Sequence, residues 1–366
     1  MKHALLICYI ILAGIGVFLI NNLYILIAII LAHLIGWFIL KIPVNKLKFL
    51  WKIKWFVLII VFFHSISGPD PELVLLAFKK IKLSVGLAGL ENGLIMAGKL
   101  ISMLLITQLV RLSMSKAAFV SGMRKLGLSH DFADIIDQIF GIITSSGQGN
   151  GKGKGDKKKG SGKNKELMDT TARQAMVGKI GSIPDKLAQR LNKAKDQFKN
   201  SPNAVIGASS LTVTLIRMVK IAPGFPLAPG HKNILLVPVF IQAIHGSNQR
   251  FTGAKIGFIS GILHFASGFG KYGPLGILQF LLLGSVIGAM MKLMGKNPGT
   301  FKLSLVGATA GLTRISSEII LSFALGMPKA FYLLYLPYFI SQILFGAGSC
   351  FISKKLISKS ATTTNE

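Results

Sequence analysis

The chain has 366 residues, 51 % of them hydrophobic and 15 % charged, and a mean hydropathy of +0.58; it holds more apolar surface than one soluble core can hide, which excludes an ordinary water-soluble domain. Its 42 Lys and Arg face 13 Asp and Glu for a formal charge of +29, and in a membrane protein the first account of such an excess is lysine held on the cytoplasmic side beside anionic lipid. The two cysteines, Cys8 and Cys350, lie in apolar runs near opposite ends of the chain, so no disulfide framework is indicated.

Apolar runs of membrane-spanning character follow in order. The first, 4–20, has no small-residue cleavage site after it and is read as a retained span rather than a signal peptide. Then come 23–40, 53–67 and 93–112, and, after a long polar middle, 204–222, 234–247, 253–270, 275–294, 303–325 and 330–352. The expected fold is an all-α, polytopic integral membrane protein with about ten transmembrane helices and amphipathic cytoplasmic helices. Lysine placement orients the set. Lys2 puts the N-terminus inside, Asn21-Asn22 turns outside, and Lys41, Lys46, Lys48, Lys52 and Lys54 crowd a cytoplasmic loop. The alternation continues to Lys354, Lys355 and Lys359, with both termini inside. The connection 68–92, placed outside, carries Lys79, Lys80 and Lys82, partly offset by Asp70, Glu72 and Glu91.

Between Gly147 and Glu166 the chain reads GQGNGKGKGDKKKGSGKNKE, with seven Gly and seven Lys and nothing apolar, the composition of a flexible, self-repelling linker. No Gly-Lys in it is followed by Ser or Thr at phosphate-loop spacing, so nucleotide hydrolysis is not expected of this chain. It lacks an interleaved aromatic platform, so a nucleic-acid partner is not expected either. Further on, Ile183, Leu187, Leu191, Ala194 and Phe198 form one apolar stripe amid Lys186, Arg190, Lys193, Lys195 and Lys199. Ser182 and Asp185 bracket Pro184 as a capping box for that helix, which is expected to lie on the inner membrane face or against another subunit. Upstream, 115–126 and 129–143 are also amphipathic. The second carries Asp131, Asp134 and Asp137, either a solvated face that pairs with lysines or a docking surface for a cytoplasmic partner.

The stretch from Ser84 to Asp137, SVGLAGLENGLIMAGKLISMLLITQLVRLSMSKAAFVSGMRKLGLSHDFADIID, resembles the transmembrane (T) component of energy-coupling factor (ECF) transporters. In that family coupling helices carry short Ala-Arg-X motifs that sit in grooves of two cytoplasmic ABC-type ATPase subunits. Ala172-Arg173-Gln174 is similar to one such motif; Arg190, after Ala188-Gln189, stands offset from a second. The C-terminal runs PLAPGHKNILLVPVF, FGKYGPLGILQF and GATAGLTRISSEIILSFAL resemble the substrate-binding (S) component of the same transporters, and Ala204 and Ala208, four apart, match the small-residue pattern that packs S against T. The resemblance implies a T-like unit over 1–146, the linker 147–166, coupling-like helices over 167–203, a six-span S-like unit over 204–354 and a tail over 355–366. It implies uptake of a small solute across a bacterial cytoplasmic membrane, energised by separate ATPase subunits, with no enzymatic activity and no cofactor in this chain. A stand-alone permease or channel with a lipid-anchoring basic segment, or a membrane assembly protein, remain alternatives.

Charges within spans need a partner or a role. Arg314 and Glu318, four apart on one helix, are read as an intramembrane pair, either structural or in contact with substrate. Arg217 and Lys220 near a span end are explained by snorkelling as well as by ligand binding. His231 and Lys232 in PLAPGHKN, and Lys271 and Tyr272 in FGKYGP, belong to two outward Gly/Pro loops that could form a lid over a pocket or be ordinary turns. The candidate substrate contacts are thus His231, Lys232, Lys271, Tyr272, Arg314 and Glu318. His245 and His264 lack the carboxylate or Cys neighbours of a metal site, and no metal is expected.

Overall fold

The computed structural model describes residues 2–67, 73–78, 81–148, 203–218, 230–247, 249–266, 272–295, 297–327 and 335–362. The expected Gly/Lys linker and coupling-like helices, with Arg173 and Arg190, lie outside the described residues, as does Lys271.

Uninterrupted apolar runs make the first helices, α1 (Lys2–Leu19), α2 (Leu23–Ile39) and α3 (Lys48–Ser67). Asn22 starts α2 by accepting hydrogen bonds from the backbone N–H of Tyr24 and Ile25, two of the donors a helix start leaves without an intrahelical partner. The connection 68–92, expected as a loop, instead contains an antiparallel hairpin of β1 (Leu73–Phe78) and β2 (Ile81–Val85), in register from Leu73 opposite Val85 to Phe78 opposite Ile81. Two short apolar runs rich in residues that suit a pleated surface pair more readily than they extend a span. The fold is otherwise helical: α4 (Leu87–Ser113), α5 (Lys116–Lys125), α6 (His130–Gln148), α7 (Ala204–Met218), α8 (Asn233–His245), α9 (Thr252–Ala266), α10 (Leu275–Met294), α11 (Thr300–Ala324), α12 (Tyr335–Gly348) and α13 (Cys350–Thr362).

Three stretches are long and apolar enough to cross a membrane by length and composition: Leu87–Val110, Leu275–Met294 and Tyr335–Ser358. The shorter apolar helices include His3–Leu19, Leu23–Ile39, Ala204–Arg217 and Asn233–His245. Of the apolar stretch of Leu275–Met294 only 28 % is buried, and of Tyr335–Ser358 only 33 %, a surface suited to hydrocarbon rather than water.

The chain divides into two units. Unit 1 comprises Met1–Gly122, Phe265–Gly276 and Ser316–Leu336; unit 2 comprises Met123–His264, Ile277–Ile315 and Pro337–Glu366. In unit 1, α4 is the hub on which α1, α2 and α3 pack. Glycine makes the closest approach possible: a Cβ at Gly93 would meet Val61 Cα at 2.9 Å, so α3 lies directly on α4 there. Ile60, Met96, Leu100 and Leu325 form one buried cluster, with Phe18, Tyr272 and Met327 packed against it. Trp37, Ile42 and Leu109 form another.

In unit 2, α8 packs against α7 and α13, and two helix pairs cross by the same device. On α9, Gly253, Gly257 and Gly261 abut the backbone of Gly284, Phe280 and Ile277 on α10; on α11, Gly307 and Gly311 abut that of Gly346 and Gln342 on α12. In both pairs glycines four apart place one helix backbone against the next, where any side chain would collide with a carbonyl oxygen. Phe280 and Gln342 hold equivalent places in the two crossings.

Candidate functional site

The second of these crossings carries a cluster of buried polar side chains. Helix α8 opens after Gly230, whose φ of +94° is left-handed and whose missing side chain leaves room for Gln342: a Cβ there would lie 2.8 Å from Gln342 Cα. The turn is closed by Asn233 N–H donating to Gly230 C=O at 2.7 Å. This puts Asn233, 1 % exposed, beside Gln342, 2 % exposed. Asn233 Nδ2 donates to Gln342 Oε1 at 2.6 Å, and its Oδ1 accepts from Arg314 Nη1 at 2.8 Å. Each end of the buried Asn233 amide therefore has a partner of the right polarity.

Next to Asn233, the Lys232 ammonium reaches back to the last turn of α7 and donates to the Arg217 carbonyl at 3.0 Å, where the helix dipole favours a cation. The Arg217 guanidinium lies 4.8 Å from the Phe280 ring centroid, a cation–π contact. Burial, then the charges of Arg217 and Arg314, pull the Lys232 pKa down to about 8. Three basic side chains from three helix segments are thus close enough to repel one another. Between Asn203 and Asn365 the sequence has a single carboxylate, Glu318.

Of the residues singled out in the sequence, Lys232 and Arg314 meet at this site and His231 stands beside them, half-buried. The expected pair of Arg314 with Glu318 is not among the ion pairs of the described residues, where Arg124 and Asp134 pair; the Arg314 guanidinium bonds Asn233. Glu318 is half-buried in the unit 1 part of α11. Tyr272 belongs to unit 1 and packs on its Ile60–Met96 cluster. Ala208 is buried on α7 and Ala204 half-buried. Asp134, among the three acids of α6, is exposed and paired with Arg124. Among the described residues no group of three or more His, Cys, Asp or Glu is placed to hold a metal ion.

Sequence reasoning missed Asn233 and Gln342, whose only signal was an amide within otherwise apolar runs. It also missed Lys99, 4 % exposed in α4, which donates to the Phe18 carbonyl at 3.1 Å and to Asn21 Oδ1 at 2.8 Å. Its signal was a lysine in the middle of a span. In the same unit Tyr9 Oη and His33 Nε2 share a hydrogen bond of 2.6 Å. No protein-family model matches this chain, and no curated protein or solved structure matches it.

Proposed function

We propose that this chain is a multi-pass membrane permease, the membrane module of an ECF-type importer that takes up a small solute, with its solute contacts around Arg217, Lys232, Asn233, Arg314 and Gln342. The observation that carries the reading is the gathering of three basic side chains on a buried Asn–Gln pair within a helical unit whose outer surfaces are apolar. Further support comes from the positive-inside alternation of the ten-span reading, which puts both termini in the cytoplasm of a bacterial cell. Exposed Trp51 and Trp55, with Lys54 Nζ 3.7 Å and 5.4 Å from their ring centroids, suit the membrane–water interface at the start of α3. The T-component resemblance falls on α4, α5 and α6, a long apolar helix followed by two amphipathic ones, and it supplies the ATPase partners.

The reading is tested in two steps. Cysteines at Ala228, in the same loop as His231, and at Gly155 should react with an impermeant thiol reagent from outside and from inside, respectively. A pull-down of the full chain from its native host should recover ABC-type ATPase subunits, and Arg173→Lys should weaken that association, because lysine cannot copy the planar fork of arginine in a groove. Recovery of no ATPase leaves a stand-alone permease; labelling of position 155 in intact cells overturns the orientation.

A further inference from the structure

We propose that His64, Met96 and Met327 form a binding site in unit 1 for a soft monovalent metal ion, copper(I) or its analogue silver(I). None of the three is a solute contact of the permease reading, and all belong to unit 1. His64 lies in the last turn of α3 and Met96 in the first half of α4. Gly93 brings these helices together: a Cβ there would fall 3.0 Å from His64 Cβ and 2.9 Å from Val61 Cα. His64 Nε2 consequently reaches Met96 Sδ at 3.1 Å, and both side chains are buried. A thioether offers only lone pairs, so Nε2 carries the proton in this contact, and sulfur is a weak acceptor for it. A buried donor that meets sulfur in place of oxygen gains little from the hydrogen bond. A second thioether stands against the same residues. Met327 packs on the cluster of Ile60, Met96, Leu100 and Leu325. Its N–H donates to the Ser322 carbonyl at 3.0 Å, and its Sδ accepts from Tyr335 Oη at 3.8 Å.

One imidazole and two thioethers make a soft donor set, which selects copper(I) over hard cations. The aliphatic side chains of Ile60, Leu100 and Leu325 supply no oxygen, which counts against magnesium and calcium. The charge of the ion is limited as well. Lys99, one turn on from Met96, is buried, with its ammonium held by the Phe18 carbonyl and Asn21 Oδ1. Repulsion from that ammonium is twice as great for a divalent as for a monovalent ion. On binding, the imidazole changes tautomer: its proton passes from Nε2 to Nδ1, and the Nε2 lone pair bonds the metal. No net proton is released, and the ion keeps its oxidation state. With metal–nitrogen near 2.0 Å and metal–sulfur near 2.3 Å, trigonal coordination sets the two donors about 3.7 Å apart. They would part by about 0.6 Å from their present 3.1 Å, a shift that the three rotatable bonds of methionine supply.

The test uses the full chain in detergent carrying Cys8→Ala and Cys350→Ala, which removes two thiols able to take silver by themselves. Silver(I) is the probe, and calorimetric titration and the methyl resonances of 13C-labelled methionine are the readouts. One saturable site should appear, with the Met96 and Met327 methyl signals shifting together at one equivalent. Met96→Leu, Met327→Leu and His64→Gln should each weaken silver binding by about tenfold or more. The volume-conserving methionine changes should leave the fold intact, and Met291→Leu, a buried methionine of unit 2, should keep wild-type affinity. Zinc at equal concentration should not displace silver. Absence of a saturable site, or wild-type affinity in either Met96→Leu or Met327→Leu, marks an N–H···S hydrogen bond only and overturns the proposal. Displacement by zinc, or silver binding that requires the two thiols, overturns it too. The titration needs no uptake, so a negative result leaves the permease reading as it stands.

Discussion

Gly311→Ala tests the helix crossing on which the site is built. The new methyl would meet the Gln342 carbonyl and lie 3.1 Å from Ile343 Cα, backbone atoms that cannot swing aside. Helices α11 and α12 must therefore part by something on the order of 1 Å, which loses close packing along the whole crossing. Overpacking of this kind costs about 1–3 kcal/mol. Alanine's better helix propensity returns about 1 kcal/mol, so the net loss is expected at up to about 2 kcal/mol. Gly16→Ala, in the interior of α1, is the matched control: nothing lies within 4 Å of its Cβ, so the propensity gain acts alone and the variant should be stabilised by about 0.5–1 kcal/mol. Melting of the purified full chain in detergent should order the proteins as Gly16→Ala, wild type, Gly311→Ala. Moving the α12 backbone also shifts Gln342 away from Asn233, so the hydrogen bond between the two amides should weaken along with stability. Equal melting of the two variants would refute the close crossing.

The pH dependence follows from Lys232, whose pKa is pulled down to about 8 by burial and then by the charges of Arg217 and Arg314. The folded pKa lies below the ordinary lysine value of 10.5, the unfolded chain binds more protons between those values, and stability should rise with pH from about 8 to 10.5, which chemical denaturation across that window checks. In unit 1, Lys99→Met leaves Asn21 and the Phe18 carbonyl without a donor and should cost about 1–3 kcal/mol, whereas Asn21→Ala leaves a buried cation with one partner fewer and should cost more; the opposite order in thermal melting would count against a charged Lys99. Arg124→Ala removes a pair whose side chains are 39 % and 53 % exposed, so chemical denaturation should show a change below about 1 kcal/mol.

The helical elements were legible because a long apolar run has few ways to satisfy its backbone in an apolar setting except as a helix. The expected runs 4–20, 23–40 and 275–294 fall within a residue or two of α1, α2 and α10. The hairpin was not legible. Lys79, Lys80 and Lys82 drew attention to the polarity of 68–92, while Leu73–Phe78 was too short for periodicity to distinguish strand from loop or buried turn. The last expected span, 330–352, ended too early, since α13 carries helix through Lys354 and Lys355 to Thr362: long basic side chains at a helix end do not stop a helix. The glycines four apart on α9 and α11 were not singled out in the sequence, and spacing alone cannot say which backbone such residues meet.

The site shows the same boundary between what spacing can and cannot reach. Reading Arg314 from its own helix finds Glu318 one turn away, since residues four apart share a face. In the folded chain its guanidinium bonds Asn233, 81 positions earlier, and Asn233 in turn bonds Gln342, 109 positions later. Neither amide carries a charge to mark it, and neither belongs to a motif. What makes them partners is a crossing of two helices at glycine and a left-handed turn at Gly230, which bring three backbone segments to one place. Gly230 was read in the sequence as part of a turn-forming loop, while Gly311 was not singled out. Their consequence for function comes from size: a Cβ at Gly230 would displace Gln342, and one at Gly311 would push α12 away, so the absence of two methyl groups permits the hydrogen-bonded chain that aims Arg314. The cations then follow, because Lys232 is adjacent to Asn233 and α7 ends where the lysine can reach its carbonyl. A polar cluster assembled this way leaves almost no pattern in local sequence, because neither the amides nor the glycines say which distant backbone they will meet.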